Sequence, residues 1–327
     1  MSDFEVVICT YNNATMLDGV LTSLARQKPA QDRRWSCLVV NNNCTDRTAE
    51  VVQKHIRTGA IPSLRSVQET SQGLTPARVC GVRSSGAQWM AFVDDDCFLE
   101  PDWIVNAMAF AGSHPEAGAF GGRVILNWEV EPPSYVRGYG YSFAEQNHGD
   151  SRRPVAFLAG AGLVVNRFAL TKCGWINGPL LEDRVGKSLV SGGDVEIVLR
   201  ISAAGYLLWY VPECKLYHRI PQSRTSPPYL RDINRNLGVS QTFADALVYR
   251  RSSLRWILDS FSTAANHVLG LLRLAIQAAR RSRSLTDISI QASFNLGQLQ
   301  GIWRIFRMPP VRRNELLGRA RSHEVTA

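Results

Sequence analysis

Residues 5–13 read EVVICTYNN, a short β-branched apolar run that stops at a tyrosine and two asparagines. Such a run predicts a buried strand, and the polar residues behind it predict the start of a helix. The same unit recurs, because residues 36–40 (SCLVV) run into three asparagines and residues 89–93 (WMAFV) run into three aspartates. We therefore predict strands over residues 5–10, 36–40, 63–68 and 89–93. Strands that alternate with helices predict an α/β fold around a buried parallel sheet.

The polar residues that follow these strands mark the predicted ligand face. In sheets of this kind the carboxyl ends of parallel strands meet at one edge, and ligands bind there. In this chain Thr10, Tyr11 and Asn12 follow the first strand, and Asn41 follows the second. Tyr11 offers a flat apolar face to a base, with a core tyrosine as the alternative.

Three successive carboxylates, Asp94, Asp95 and Asp96, follow the fourth strand. They would repel one another unless a cation or hydrogen-bond donors compensate their charge. Mn²⁺ or Mg²⁺ would do so, since both bind carboxylate oxygens and substrate phosphates. We expect Asp96 to reach the metal and Asp94 or Asp95 to face a ribose or solvent. A solvated acidic turn is the alternative.

Four ordered segments carry a resemblance that covers residues 6–218. The segments VVICTYNN, LVVNNNCTDRT, GLTPARVCGVRSSGAQWMAFVDDD and SGGDVEIVLRISAAGYLLWYVP resemble the family 2 glycosyltransferases of the GT-A fold. The resemblance implies a metal-dependent, inverting transfer of a sugar from a nucleotide-sugar donor, with a UDP-sugar favoured, to a hydroxyl of a glycan or lipid-linked glycan. The implied donor-binding residues are Thr10, Tyr11, Asn12, Asn41, Arg78, Asp94 and Asp95, and the implied metal ligands are Asp96 and His218.

Asp194 is similar to the catalytic base of this family. It follows Ser191, Gly192 and Gly193 and opens a predicted helix, whose amino-terminal end favours an anion. Two alternatives stay open. Asp194 could cap its own helix, or the base could come from the acidic pair at residues 182–183.

The sequence also departs from the family pattern. Many relatives carry an aspartate where this chain has Asn41. An amide side chain can donate a hydrogen bond as well as accept one, so this position constrains the identity of the base less than an aspartate would. Uracil remains the favoured base. A glutamate often precedes the base, whereas Gly193 precedes Asp194 here. Processive synthases carry Q-x-x-R-W beside spanning helices, whereas residues 277–281 read QAARR, so addition of one sugar is favoured.

Two other functions compete with this interpretation. A metal-dependent nucleotidyltransferase needs a similar fold and metal, but usually carries a glycine-rich basic loop after its first strand, where this chain has TYNN. A non-catalytic sugar-binding protein, tethered by a basic tail, would not need both Asp96 and Asp194.

The last third of the chain differs in charge and predicted structure. From residue 218 onward there are 17 Arg, no Lys and 6 Asp or Glu, a net charge of about +11, against about −2 before it. We predict a transferase domain over residues 1–220 and a basic helical subdomain over residues 221–327. Residues 255–281 predict an amphipathic helix, with Phe261, Val268 and Leu272 on its apolar face.

The basic tail has two main interpretations. It could pack on the domain and leave its arginines in solvent, or it could dock on an anionic membrane surface. Nucleic acid is not predicted, since no nucleic-acid module is visible. Seven scattered cysteines and no apolar leader predict a cytoplasmic protein, which lipid binding would place at the inner face of the membrane.

Overall fold

The computed structural model describes residues 3–29, 34–181, 183–185, 189–249 and 253–318. They divide into two compact units. The described residues of Met1–Glu131, Phe143–Pro179 and Arg200–Pro221 form the first unit, and those of Pro132–Ser142, Leu180–Leu199 and Gln222–Ala327 form the second. The predicted domain boundary at residues 220–221 stays a prediction.

The elements alternate along the first part of the chain, as predicted. The strands are β1 (Phe4–Thr10), β2 (Trp35–Asn41), β3 (Arg65–Gln68), β4 (Trp89–Phe92), β5 (Cys97–Leu99), β6 (Ala119–Gly121), β7 (Val124–Trp128), β8 (Arg153–Val155), β9 (Leu163–Asn166), β10 (Leu208–Tyr210) and β11 (Leu216–Ile220). The α-helices are α1 (Ala14–Ala25), α2 (Thr48–Thr58), α3 (Leu74–Ser84), α4 (Trp103–Ser113), α5 (Arg167–Lys172), α6 (Gly193–Ala203), α7 (Pro227–Leu247), α8 (Ser253–Ala279), α9 (Leu285–Arg307) and α10 (Pro310–Leu316). Short 3₁₀ segments lie at Ser134–Phe143, Trp175–Asn177 and Gln222–Thr225.

The main sheet of the first unit has the strand order β3-β2-β1-β4-β9-β6-β10-β8 within the described residues. Strands β1 to β4 are parallel, and Thr10 pairs with Asn41 in the register of β1 and β2. The carboxyl ends of these strands therefore share one edge. Residues 157–165 (FLAGAGLVV) are strand-like in sequence and overlap β9, but the sequence did not predict its direction: β9 runs antiparallel to both β4 and β6 and makes the sheet only mostly parallel.

A second, smaller sheet in the same unit has the order β5-β11-β7. Its strand β11 runs antiparallel to β5, and His218 pairs with Cys97. This register places His218 beside Cys97, the residue that directly follows the three aspartates.

The first unit has a well-filled apolar core. Trp103, Phe110 and Phe120 are fully buried in it, and the rings of Phe110 and Phe120 lie 4.8 Å apart. Burial of such large aromatic side chains contributes strongly to stability and fixes the strands that carry the candidate site.

The helices of the second unit pack closely where glycines meet. Gly297 of α9 faces α7 so closely that a Cβ atom would lie 2.0 Å from the Arg235 carbonyl oxygen, and one on Gly301 would lie 2.7 Å from Thr242. The G-x-x-x-G step formed by these two glycines therefore sets the approach of α9 to α7. The sequence alone could not separate this role from chance spacing.

We expect Gly297→Ala to destabilise the protein by about 1–3 kcal/mol, because a backbone carbonyl cannot move aside for the new methyl group. This expected value is the net effect, which already includes the gain of about 1 kcal/mol that alanine brings to a helix. Gly270→Ala is the matched control, since its Cβ would meet only the side-chain amide of Asn295, at 3.1 Å. Urea denaturation of both variants measures the difference, and equal midpoints would contradict the close-packing account.

Helix α8 is amphipathic, and its apolar face points outward. Phe261 is 65% exposed and Leu272 is 55% exposed, whereas Trp256 and Leu274, on the opposite side, are buried. Among the described helices none combines the length and apolar composition needed to span a membrane.

Candidate active site

The end of β1 is joined to the aspartates that follow β4. The Thr10 hydroxyl donates to Asp95 Oδ2 at 2.6 Å, and the Asn13 amide donates to Asp95 Oδ1 at 2.8 Å. The sequence predicts that Asp95 binds the donor. In the structure both of its carboxylate oxygens accept hydrogen bonds, one from β1 and one from the loop that follows it. Asn13 was missed by the sequence analysis, although it belongs to the same polar cluster.

The ionisation of Asp95 is perturbed by its surroundings. Burial and the neighbouring Asp96 carboxylate raise the pKa of Asp95 to about 7, although the hydrogen bonds from Thr10 and Asn13 act in the opposite direction. Burial and the neighbouring charge therefore disfavour the charged form of Asp95 more than these two hydrogen bonds favour it.

The loops after β1 and β2 are fastened to each other. Asn12, at a φ of 51°, accepts hydrogen bonds at its side-chain oxygen from the backbone N–H of Thr45 at 2.7 Å and of Asp46 at 3.3 Å. Asn41 accepts from the Cys44 N–H at 2.9 Å. Asn12 and Asn41, both predicted to bind donor, thus use their side-chain oxygens to shape these loops.

Asn42 is the buried residue of the asparagine run, and the sequence analysis did not single it out. Its amide donates to the carbonyls of Glu69 and Ser71, at 3.0 and 2.7 Å, and its oxygen accepts from the Gly73 N–H at 2.8 Å. These bonds fix the chain where α3 begins, and α3 carries Arg78. A buried asparagine at a strand end could have been predicted to serve this purpose.

Arg78 and Asp94 lie next to each other. Arg78 is 3% exposed, its guanidinium nitrogen lies 3.9 Å from Asp94 Oδ1, and it sits 5.8 Å from the ring centre of Phe92. A buried guanidinium beside a half-buried carboxylate is a fixed cation at the strand ends. Tyr11, by contrast, is 45% exposed and presents its ring to solvent.

Asp96 and His218 form a buried pair. His218 Nε2 lies 3.4 Å from Asp96 Oδ1, and His218 Nδ1 lies 2.7 Å from the Phe143 carbonyl oxygen. Because a carbonyl only accepts, Nδ1 carries the proton and the lone pair of a neutral ring is on Nε2, which is turned toward Asp96. Burial lowers the pKa of His218, but Asp96 and the hydrogen bonds outweigh burial and raise it.

This pair and Cys97 together form a group that could hold a metal ion. A carboxylate oxygen and an imidazole nitrogen suit Mn²⁺, and a carboxylate also suits Mg²⁺. Burial, with the charge of Asp96, raises the pKa of the Cys97 thiol well above its ordinary value. Mn²⁺ and Mg²⁺ prefer harder ligands than sulfur, so Asp96 and His218 are the better ligands of the three. The residues therefore fit a divalent cation held by Asp96 and His218.

Asp194 belongs to the second unit, in the first turn of α6. Its side chain is half-buried, and its Oδ1 is enclosed without a hydrogen-bond partner in the described part of the chain. Glu196, two residues further on in the same turn, accepts from the backbone N–H groups of Leu180 and Leu181 at 2.8–2.9 Å. Glu196 thus holds a loop through these hydrogen bonds, whereas Asp194 Oδ1 accepts no hydrogen bond from the described residues.

The alternative base at residues 182–183 is only partly observed. Glu182 lies outside the described residues. The Asp183 side chain is buried and accepts a hydrogen bond from the Arg184 N–H at 2.9 Å.

Comparisons with known proteins match this chain to a family and to several relatives. The model of the family described as Glycosyl transferase family 2 matches residues 5–174, just over half of the chain. Glycosyltransferase AglE from Haloferax volcanii is 25% identical over 276 residues, covering 81% of this chain and 83% of that protein. The N-acetylglucosaminyl-diphospho-decaprenol L-rhamnosyltransferase of Mycobacterium tuberculosis is 23% identical over 306 residues, covering 85% and 95%.

A solved structure shares the fold. The mannosyltransferase PcManGT from Pyrobaculum calidifontis, in complex with GDP-Man and Mn²⁺, superposes with a TM-score of 0.61 at 17% identity, covering 92% of this chain and 87% of that one. The predicted GT-A fold, with a mostly parallel sheet between helices and a helical carboxyl-terminal extension, is confirmed.

Proposed function

Since this chain belongs to glycosyl transferase family 2 and is therefore a glycosyltransferase, we propose that it moves one sugar, with inversion, from a UDP-sugar to an acceptor hydroxyl. The observation that carries the proposal is the buried pair of Asp96, which follows β4, and His218 of β11, in the same unit as Arg78 and Asp94. A nucleoside diphosphate needs positive charge and a flat surface at one site, and the first unit offers both.

The donor side of the reaction follows from the first unit. The exposed ring of Tyr11 would stack on the base, and Arg78 would face the phosphates as a permanent cation. A divalent ion held by Asp96 and His218, Mn²⁺ or Mg²⁺, would supply positive charge to the departing diphosphate. Asp95 keeps the turn in place through its hydrogen bonds with Thr10 and Asn13. Asp94, which lies beside Arg78, would orient the donor.

The acceptor side of the reaction needs one base. In an inverting transfer the acceptor hydroxyl attacks the sugar directly and must lose its proton as it does so. We assign this role to Asp194, whose enclosed oxygen has no hydrogen-bond partner within the described ranges. It lies in the first turn of α6, where Oδ1 is enclosed.

The nucleotide and the acceptor are finer parts of the proposal. Uracil is favoured by the family resemblance, with guanine as the alternative that the GDP-Man complex of PcManGT suggests. The name of the mycobacterial relative describes an acceptor carried on a lipid diphosphate, which supports a lipid-linked glycan here. A protein acting on such an acceptor would work as a peripheral protein at the inner face of the membrane.

We expect one nucleoside diphosphate to raise the thermal midpoint of the protein in the presence of Mn²⁺ and to have little effect without it. Binding to the folded state alone stabilises by about 2.7 kcal/mol at a ligand concentration one hundred times the Kd. UDP, GDP, dTDP and CMP would be screened by thermal shift and calorimetry. Binding of none of them would overturn the proposal and favour a non-catalytic protein. Stronger stabilisation by UTP, with release of pyrophosphate from UTP and a sugar phosphate, would favour a nucleotidyltransferase.

A further inference from the structure

The outward face of α8 is a continuous apolar surface. Its large side chains are 46–68% exposed and comprise Leu254, Leu258, Phe261, Val268, Leu269, Leu272 and Ile276. We propose that this surface, called here the α8 face, is the site at which the protein lies on an anionic lipid bilayer. The inference rests on the proposed function in one respect, the work at a membrane, and assigns the surface that makes the contact. This surface lies in the second unit, and binding there requires no transfer reaction.

The spacing of these residues makes one broad stripe. At about 100° of rotation per residue they fall within an arc of about 100°, and from Leu254 to Ile276 they extend over about 33 Å. Contiguous exposed patches of this kind are rare on soluble proteins and mark interaction surfaces. A helix with an apolar arc on one side and polar residues on another has the composition of helices that lie in the plane of the membrane interface.

The opposite side of α8 is packed, which fixes the direction of the α8 face. The ring centres of Trp256 and Phe306 of α9 lie 5.2 Å apart, and His267 Nδ1 lies 2.8 Å from Asn295 Oδ1. Leu274 is buried on the same side. Phe261 also touches α9, with its ring centre 6.0 Å from that of Phe306, but most of its surface stays exposed. Because α8 already packs against α9 on its other side, the exposed surface of the α8 face is left for a partner.

Basic residues border the α8 face. Arg255 and Arg273 follow its edge on the helix, and the turn between α8 and α9 exposes Arg280, Arg281 and Arg283. Leu285, 71% exposed, directly follows this turn. Cations beside an apolar stripe match a bilayer, which offers anionic headgroups next to hydrocarbon.

The charge pattern favours lipid over a second copy of the chain. Asp259 is the only acidic residue between positions 253 and 284, and Arg255 already bridges it at 3.2 Å. Two α8 faces packed together would bring two sets of arginines close without acidic partners, and like charges at an interface are unfavourable. The arc is also broader than the narrow seam of a coiled coil.

Vesicle flotation of the full chain tests the proposal. The protein is expected to float with phosphatidylcholine vesicles that contain phosphatidylglycerol, and to stay at the bottom with phosphatidylcholine alone or in high salt. The double variant Leu258→Gln/Leu272→Gln is expected to bind at least about tenfold more weakly, since both leucines leave the hydrocarbon. Arg280→Gln/Arg281→Gln/Arg283→Gln is expected to bind about a hundredfold more weakly, at about fivefold for each arginine.

The matched control is Ser262→Gln/Asn266→Gln, which changes two exposed positions of the same helix outside the apolar arc. It should float within about twofold of the wild type. Equal flotation of the leucine variant and the control would overturn the proposal, as would a wild type that never floats. A dimer in light scattering that the leucine variant dissociates, without flotation, would assign the α8 face to a second copy instead. Nucleotide binding is measured on the same samples, so a failure of the proposed donor site is seen separately.

Discussion

The variant Asp194→Asn is expected to lose about three orders of magnitude in kcat while it keeps its affinity for the donor nucleotide. A positioned general base contributes about 10²–10⁴-fold, and asparagine cannot accept the proton of the acceptor hydroxyl. Asp194 Oδ1 makes no hydrogen bond to the described residues, so the amide should fit without loss of a structural contact. Initial rates over a range of acceptor concentrations, beside calorimetric titration of the nucleotide, would separate the two quantities.

Asp245→Asn is the matched control for this variant. Asp245 is exposed on α7, where it accepts a hydrogen bond from Gln241, and the same chemical change there should leave kcat within about twofold. If Asp194→Asn turned over as fast as this control, the base would have to be sought elsewhere, first at Asp183. A loss of nucleotide affinity in Asp194→Asn would instead assign this residue to donor binding.

The variant Asp96→Asn is expected to lose the Mn²⁺-dependent part of nucleotide binding and about two to three orders of magnitude in activity. The change keeps the size of the side chain but removes the charge that a divalent ion needs, and electrostatic stabilisation of a leaving group has about this magnitude. Chelation of metal from the wild type should reproduce the loss, and addition of Mn²⁺ should reverse it only in the wild type. Calorimetric titration with Mn²⁺, followed by UDP, measures the effect directly.

His218→Ala and Asp150→Asn complete this experiment. His218→Ala should weaken Mn²⁺ binding less than Asp96→Asn does, since a neutral ligand contributes less charge than a carboxylate. Asp150 is almost fully exposed beside Arg123, so its variant should bind Mn²⁺ and UDP as the wild type does. Metal-dependent binding that survives in Asp96→Asn would show that the cation is held by other groups.

The parallel half of the main sheet could be predicted because its signal is local. Runs such as residues 37–40 (CLVV) are apolar throughout, and each ends where the polar residues start. Strand β3 begins at Arg65, later than predicted, because residues 63–68 (SLRSVQ) mix polar and apolar side chains and do not mark where the strand starts. The antiparallel strand β9 could not be placed, since its neighbours β4 and β6 are chosen by long-range packing that periodicity does not encode.

The candidate site was predicted by residue type, but its internal contacts were not. Thr10 and Asp95 lie 85 positions apart in the sequence, and both are predicted to bind the donor. In the fold their side chains form a hydrogen bond with each other. The approach of His218 to Asp96 depends on the antiparallel register of β5 and β11. Helical spacing likewise showed that α8 is amphipathic, but not which face α9 would cover.

The contact between His218 and Phe143 has a consequence for how this protein can evolve. The group that fixes the imidazole tautomer is a backbone carbonyl, and every amino acid carries one. Mutation at position 143 therefore leaves the hydrogen-bond acceptor in place, although it would disturb the packing of the buried Phe143 ring on Trp128, whose ring centre lies 5.2 Å away. The orientation of His218 therefore depends on the path of the backbone at position 143 rather than on which amino acid stands there.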